Sequence, residues 1–319
     1  MTGTGIEIKT GRRQFLREFL LTAITASLSP LFFPFSKSIF AKTTGCPEID
    51  LAMVQGPAAL ATKQAIDLMG GMERFVGRGD KVVLKPNISF PNPPHMASTT
   101  HPQVVSTIAR ECLKAGARKI LVLDYPVRNP ALCLKRSGVE GACRKIEKTH
   151  VLGITERKFF QRIKVPEGRV LKEVEVMGEI LDSDILINIP VAKSHSTTTV
   201  SLGMKNLMGL IWDRGAFHSR MDINQAIADL STVIKPKLTI IDATRVLASG
   251  GPSGPGTVLK LDKILAGVDP VAVDSLGVTL SPWYGKKFIG KEIKHLIAGQ
   301  GMGLGNIDLD NLVIKKGRV

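Results

Sequence analysis

The fold of this chain is decided by three neighbouring segments: KVVLKPN at residues 81–87, PQVVSTIARECLKA at 102–115 and KILVLD at 119–124. The first and third are short apolar runs, which are typical of buried strands. The second has apolar residues at near-helical spacing, begins with a proline and is followed by Gly116, so it predicts a helix. A strand–helix–strand unit of this kind favours a parallel sheet.

Strand and helix patterns alternate along the rest of the chain. We expect further strands at 49–54, 174–176, 185–189, 238–242, 263–268 and 312–315. We expect further helices at 57–69, 132–137, 201–211, 223–233, 270–280 and 293–298. The fold class predicted is therefore α/β, a mostly parallel sheet with helices on both faces. It forms one domain over residues 42–319, with a small inserted lobe at 126–180 that holds the charged segment 158–172.

Composition narrows the class of protein. The 319 residues are 44% hydrophobic and 22% charged, which is typical of a globular chain. Aromatic residues make up only 5%, which argues against a nucleic-acid partner held by base stacking. The net charge of +15 favours anionic ligands, although a dispersed solubility charge explains it as well.

The four cysteines contain no Cys-x-x-Cys pair, so the sequence predicts no intrinsic iron–sulfur cluster and no zinc ribbon. Cys133 and Cys143 are close enough in sequence to pair, and unpaired buried thiols are an equal alternative.

The N-terminus carries a targeting pattern. RRQFLR at residues 12–17 resembles a twin-arginine signal, and an apolar stretch at 19–35 follows it. Pro30 and Pro34 interrupt that stretch, which suits a signal peptide better than a membrane span. We therefore predict a signal peptide at 1–41, the twin-arginine translocase as partner, and a periplasmic or extracytoplasmic location. Membrane contact would occur only through this segment; an uncleaved amphipathic anchor is the alternative.

Polar side chains gather where predicted strands end, which in open α/β sheets is the ligand-binding edge. Lys85 and Asn87 close the strand at 81–87, and a buried lysine needs a partner that an anionic ligand would supply. Thr99 or Thr100 would cap the next helix, whose amino end would hold the anion, and Thr100 is taken as the ligand-binding candidate. Asp124 ends the strand at 119–124 and suits a metal ligand, a base or a simple turn. The alternative for this group is a capped helix and a lysine that reaches solvent.

The densest polar set follows the strand at 185–189. Lys193 and Lys205 could clamp a carboxylate or phosphate, with Asn206 beside them. His195 could bind a metal or transfer protons near neutral pH. We take Lys193, His195 and Lys205 as catalytic candidates and Asn206 as a ligand-binding candidate.

The site could also hold a divalent metal ion. Its predicted ligands are Asp124, His195, His218 and Asp242, with Asp242 serving alternatively as a base. His218 lies among two aspartates and two arginines, Asp213, Arg214, Arg220 and Asp222. Helix caps and surface ion pairs explain that group almost equally well.

A glycine-rich loop at 250–256 follows the strand that contains Asp242. Gly251, Gly254 and Gly256 would let main-chain amides approach an anion. The loop lacks the Gly-Lys-Ser/Thr ending of a P-loop, and a rigid turn is the alternative.

Several of these segments, in the same order, resemble the DUF362 family (domain of unknown function 362). They are Lys85-Pro86-Asn87, the segment 190–195, Lys205-Asn206 with Gly209, the loop 250–256 and the segment 269–274. The resemblance covers about residues 80–305. Some members of that family carry a ferredoxin-type domain, whose cysteine spacing is absent here. The motif order is also loosely similar to the N-terminal domain of nickel-pincer lactate racemases, a likeness of fold that assigns no chemistry.

These observations favour an exported DUF362-like protein that binds an anionic small molecule, a metal or both at a cleft lined by Lys, His and Asp. Whether it turns that ligand over is left open. The alternatives are a non-catalytic cofactor- or metal-binding maturation protein and a redox partner of a separate iron–sulfur protein.

Overall fold

The structure is a computed structural model and describes residues 50–319, so the predicted signal peptide and Cys46 lie outside the described residues. The strands are β1 (Leu51–Gln55), β2 (Lys81–Pro86), β3 (Lys119–Asp124), β4 (Thr149–Gly153), β5 (Phe160–Lys164), β6 (Glu173–Met177), β7 (Ile185–Ile189), β8 (Val191–His195), β9 (Thr199–Ser201), β10 (Leu238–Leu247), β11 (Val258–Gly267) and β12 (Ile314–Arg318). The helices are α1 (Ala58–Leu68), α2 (Pro102–Lys114), α3 (Pro130–Ser137), α4 (Val139–Cys143), α5 (Gly178–Leu181), α6 (Gly203–Asn206), α7 (Arg214–Ser219), α8 (Ile223–Val233), α9 (Pro270–Val278) and α10 (Lys294–Gln300).

The main sheet has the strand order β12-β1-β11-β10-β7-β2-β3-β4, with β8 and β9 joined to it through β10. Strands β10, β7, β2, β3 and β4 run parallel to one another, whereas β11 is antiparallel to both of its neighbours. β5 and β6 form a separate two-stranded sheet. The predicted fold class, a mostly parallel α/β sheet, is confirmed.

Both faces of the sheet are buried. Along β2, Val83 contributes to one hydrophobic cluster, and Val82 and Leu84 contribute to the other. This alternation follows from the two-residue period of a strand, and a parallel sheet covered on both sides requires apolar residues on each face. Residues of α1 and α2 pack into the second cluster, and residues of α8, α9 and α10 pack into the first.

The region after Asn188 differs most from the sequence prediction. The prediction of one helix over 201–211 is wrong, because β9 runs to Ser201, α6 has only four residues, and a 3₁₀ turn spans Leu207–Leu210. β8 and β9 pair antiparallel where the sequence indicated only a polar segment. β10 and β11 are longer than predicted because they continue as an antiparallel pair out to the glycine-rich loop.

Three cysteines are described, and Cys112, Cys133 and Cys143 are all buried free thiols, so Cys133 and Cys143 do not pair. Burial raises the pKa of the Cys143 thiol to about 12, which makes it unreactive at neutral pH. Across residues 50–319, every helix is too short or too polar to cross a bilayer.

Candidate functional site

The site lies where the strand order reverses. The chain passes from β2 to β3 to β4 in one direction, and β7 then pairs with the opposite side of β2. Crevices at such reversals, beyond the carboxyl ends of parallel strands, are where open α/β sheets bind ligands.

Pro190 opens this crevice. β7 pairs with β2 as far as Ile189 opposite Pro86. Beyond Pro190 the chain continues as β8, which pairs with β10 and β9 and no longer with β2. Lys193 and His195 are two residues apart on β8, so their side chains point to the same side of the strand. They face the gap that the end of β2 leaves open, since both line the cavity described below.

A buried ion pair forms the floor of the crevice. The Lys85 ammonium lies 2.9 Å from Asp124 Oδ1, and both side chains are fully buried. Asp124 also accepts hydrogen bonds from the main-chain amides of Ile88 and Tyr125, at 2.7 and 2.9 Å. Burial lowers the pKa of Lys85, and the Asp124 carboxylate opposes that shift. The anionic partner of Lys85 is therefore a residue of the chain itself.

Three asparagines connect this ion pair to the rest of the crevice. Asn206 Oδ1 accepts from Lys85 Nζ at 3.2 Å and from Asn87 Nδ2 at 3.0 Å. Asn206 Nδ2 donates to Asn188 Oδ1 at 2.8 Å. Together with Lys193, these residues form what we call the inner network: Lys85, Asn87, Asp124, Asn188, Lys193 and Asn206. Buried polar groups in such a network stabilise the fold because each of them has a partner.

Lys193 lies at the outer end of the inner network. Its ammonium donates to Asn87 Oδ1 at 3.0 Å and to the Ser98 carbonyl at 2.8 Å, and it lies 5.1 Å from the centre of the Phe90 ring. Burial lowers its pKa to about 7, with the neighbouring Lys205 and Lys85 adding to the effect. Two acceptors nevertheless hold this side chain in place.

Above the inner network is a cavity of about 450 Å³. Its walls are basic, amide-bearing, small or apolar: Asn87, Ser89, Phe90, Val127, Lys193, His195, Ser196, Thr197, Ser201, Lys205, Asn206, Met208, Gly209, Arg214, Gly215, His218 and Pro252. None of these described lining residues is acidic. A cavity with this lining attracts anions and repels free cations.

Lys205 differs from Lys193, the other lysine of the cavity wall, in having no partner among the described residues. It is only 8% exposed and lines the cavity, yet its ammonium has no hydrogen-bond or ion-pair partner among residues 50–319. Burial and, to a smaller extent, the nearby Arg214 lower its pKa to about 7. Asp274 fixes its helix, because both carboxylate oxygens of Asp274 accept main-chain amides at the start of α6, from Gly203 and Met204 at 2.7 and 2.9 Å.

Two histidines stack at the wall of the cavity. The rings of His195 and His218 have centroids 5.8 Å apart and an angle of 21° between their planes. Burial and the nearby Lys205 lower the pKa of His195 to about 3, and the same two causes lower that of His218. Both rings are therefore neutral at pH 7. His195 Nδ1 accepts from the Thr197 amide at 3.2 Å, so Nε2 carries the proton.

Arg214 supplies a third cation to the cavity. Its guanidinium lies 3.9 Å from the centre of the Tyr125 ring and donates to the Tyr125 carbonyl at 2.7 Å. The other side of Tyr125 belongs to an aromatic cluster, in which Trp212 stacks on it at 5.5 Å and Phe160 meets it at 5.5 Å. The sequence groups Arg214 with His218, with helix caps and surface ion pairs as the alternative, and no pattern in it brings Arg214 next to Tyr125.

The remaining predicted site residues do not line the cavity. Thr100 ties β2 to β7, since its hydroxyl donates to the Ile189 carbonyl and accepts the Asn87 amide. The N-cap of α2 is His101 instead of Thr100. Asp242 accepts the main-chain amides of His101 and Thr244 and the Thr244 hydroxyl, which occupies both of its oxygens.

The glycine-rich loop packs over β8 and contributes Pro252 to the cavity wall, whereas Gly251, Gly254 and Gly256 do not contribute. The Gly251 amide donates to Ser194 Oγ at 3.0 Å, and a side chain at Gly251 would overlap the Ser194 carbonyl. The four predicted metal ligands do not converge either: His195 and His218 stack, but residues 50–319 contain no group of three or more His, Cys, Asp or Glu side chains placed to hold an ion.

Fold and site together define an α/β protein with a buried cationic crevice at a sheet switch point. A family model, Domain of unknown function (DUF362), matches residues 82–279, and the chain belongs to this family. Its sequence is 26% identical over 226 residues to the thylakoid-associated protein sll1697 of Synechocystis, covering 69% of this chain and 68% of that relative.

Two solved structures are similar to parts of the chain. The lactate racemase apoprotein from Thermoanaerobacterium thermosaccharolyticum has 13% identity and a TM-score of 0.47 over 73% of this chain. A Thermotoga maritima protein has 14% identity and a TM-score of 0.38 over 59% of this chain. The matched region spans only 58% and 51% of the lengths of those two proteins.

Proposed function

We propose that this protein binds a small anionic molecule, a carboxylate or a phosphate, in the cavity above the inner network. The observation that carries the proposal is Lys205, a buried ammonium that lines the cavity without a partner among the described residues. A buried charge without a partner is unfavourable, and an anionic group of a ligand would supply the missing hydrogen bonds.

The surroundings of Lys205 support the same conclusion. Lys193 and Arg214 line the cavity as further cations, and the described lining contains no carboxylate to neutralise them. Phe90, Val127 and Met208 provide apolar wall, which suits the carbon skeleton of a small organic anion. The volume of about 450 Å³ lies within the range of small-molecule sites.

Calorimetric titration with a panel of small carboxylates and phosphates tests the proposal. Lys205→Met should weaken the binding of the best anion about 10- to 100-fold, because a hydrogen bond to a charged group contributes about 1.5–3 kcal/mol. Lys114→Met is the matched control, since Lys114 is exposed and pairs with Glu111 on α2. Equal affinity in wild type and Lys205→Met, or no anion bound by the wild type, would contradict the proposal.

We further propose that the protein works on the far side of the cytoplasmic membrane. Support comes from the twin arginines Arg12 and Arg13 and the apolar stretch after them. The relative's name, thylakoid-associated, is compatible with a place at a membrane. Replacing both arginines with lysine should retain the protein in the cytoplasm, as measured by fractionation. Unchanged export of that variant would overturn the proposal.

A further inference from the structure

We propose that Lys205 is a nucleophilic amine that forms a Schiff base with a 2-oxo acid, whose carboxylate is held by Arg214 and Lys193. This inference rests on the proposed function, because the same cavity must first bind the anion. It adds the chemical class of the ligand and a covalent step.

The geometry distinguishes Lys205 from the other buried lysines of the crevice. Lys85 is paired with Asp124, and Lys193 donates to Asn87 and Ser98, so both ammonium groups are held by acceptors. Lys205 has no acceptor among residues 50–319 and lines the cavity. Its nitrogen is therefore the one of these three that is free to approach a bound molecule.

The electrostatic surroundings favour the reactive form of this amine. Only a neutral amine has the lone pair needed for attack, and lysines acquire it by burial or by the proximity of another cation. Both conditions hold here, since burial and Arg214 lower the pKa of Lys205 to about 7. About half of the Lys205 side chains would then be neutral at pH 7, whereas an ordinary lysine is almost fully charged.

The residues that line the cavity indicate the chemical class of the ligand. An amine attacks a carbonyl carbon, and the permanently charged Arg214, with Lys193 as a second hydrogen-bond donor, favours an anionic group on the same small molecule. Because Lys205, Lys193 and Arg214 line one cavity of about 450 Å³, a carbonyl next to a carboxylate fits this arrangement. The apolar residues Phe90, Val127 and Met208 face the remaining carbon chain.

The step balances without an oxidant or a reductant. The lone pair of Lys205 Nζ forms the C–N bond, and the carbonyl π pair moves to oxygen, which takes a proton released by the nitrogen. The resulting hydroxyl takes a second proton from solvent and leaves as water with the C–O bonding pair. The nitrogen lone pair then forms the C=N bond of the iminium ion. His218, which lines the cavity and is exposed, is placed to pass the solvent proton.

Reductive trapping tests the inference. The protein is incubated with pyruvate or 2-oxobutyrate and sodium cyanoborohydride, which delivers hydride to an iminium carbon. Intact mass should rise by the mass of the 2-oxo acid less one oxygen, and peptide mapping should place the adduct on Lys205. Lys205→Arg and Lys205→Met should lose the adduct, and Lys114→Arg should retain it, with circular dichroism confirming that each variant is folded.

Binding of lactate and 2-hydroxybutyrate, measured by calorimetry, separates this inference from the proposed function, because neither ligand has a carbonyl next to its carboxylate. Binding of these hydroxy acids without any trapped adduct would overturn the Schiff base and leave the anion site standing. Adduct on Lys193 or on surface lysines would also overturn it. Failure of both the hydroxy acids and the oxo acids to bind would remove the inference together with the carboxylate form of the proposed function.

Discussion

The inner network and the cavity above it use the same residue types in opposite ways. In the inner network, Lys85 has Asp124 and Asn206 as partners, and each amide is hydrogen bonded. In the cavity, Lys205 is almost as buried and has no partner among the described residues. The comparison teaches that burial of a lysine does not by itself point to a ligand, whereas a largely buried lysine that lines a cavity without an acceptor is the better candidate for a ligand contact.

Removing the carboxylate of the inner network should have the largest effect. Asp124→Asn leaves the Lys85 ammonium buried without its counter-charge, so the free energy of unfolding should fall by about 3–5 kcal/mol. Urea denaturation measures the change. Asp308→Asn, which breaks the exposed ion pair with Lys291, is the control and should leave the midpoint nearly unchanged. A similarly small change in Asp124→Asn would show that the ion pair does not stabilise the fold.

Removing the Lys205 ammonium from the cavity should raise the free energy of unfolding instead of lowering it. Lys205→Met eliminates an unpaired buried ammonium, so stability without ligand should rise by roughly 1–3 kcal/mol at pH 7. The pKa of Lys205 is about 7 in the folded chain and near 10.5 in the unfolded one. Between these values the unfolded state binds the extra proton, so wild-type stability rises with pH and the advantage of the variant shrinks.

Denaturation of both proteins at pH values from about 6 to about 10 checks this dependence. The matched variant Lys114→Met should show no such trend, because Lys114 is exposed on α2. Two outcomes would contradict the contrast between the inner network and the cavity. One is a difference in free energy of unfolding between wild type and Lys205→Met that stays constant with pH; the other is a variant less stable than the wild type.

Removing the Tyr125 ring that contacts Arg214 should have a smaller effect, on anion affinity. Tyr125→Leu removes the ring under the guanidinium but keeps the carbonyl that Arg214 contacts. Since a cation–π contact contributes about 0.5–2 kcal/mol, anion affinity should fall about 2- to 30-fold. Calorimetry measures the change. Phe75→Leu, where Arg74 lies over the ring, is the control because neither residue lines the cavity. Equal losses of anion affinity in Tyr125→Leu and Phe75→Leu would show that the Tyr125 ring has no specific role in binding.

Chelation should have the smallest effect. If the anion is held by Lys193, Lys205 and Arg214 alone, treatment with EDTA leaves its affinity unchanged. Asp124 and Asp242 already use their carboxylate oxygens for main-chain amides, and Asp124 also for Lys85. If anion binding instead required a metal held by the predicted ligands, EDTA would abolish binding and an added divalent ion would restore it. Metal analysis before and after treatment distinguishes the two.

Sequence alone could predict the sheet because its signals are local. The apolar runs of β2, β3 and β7, and the proline at the start of α2 and α9, are visible in windows of a few residues. The helix expected over 201–211 is wrong because its apolar spacing competes with the pairing of β9 to β8, a tertiary contact that no local pattern contains.

The site could be predicted only in part, for the same reason. Lys193, His195, Lys205 and Asn206 were selected because they crowd one short segment, and they do line the cavity. Lys85 and Asp124 looked equally available, but their distance of 2.9 Å across two neighbouring strands becomes apparent only in the folded sheet. The sequence groups Arg214 with His218 but does not reveal its contact with Tyr125, which lies on a distant part of the chain.

Pro190 divides one continuous run of chain into a part that pairs within the sheet, β7, and a part that faces the cavity, β8. Substitutions before Pro190 disturb the pairing of β7 with both β2 and β10. The segment after Pro190 pairs with β10 and not with β2, so substitutions there leave the pairing with β2 intact. If the cavity binds the anion proposed above, substitutions at cavity-lining positions such as His195 and Thr197 can change its selectivity without disturbing the sheet. The same separation makes the segment after Pro190 a practical starting point for engineering new ligand preferences.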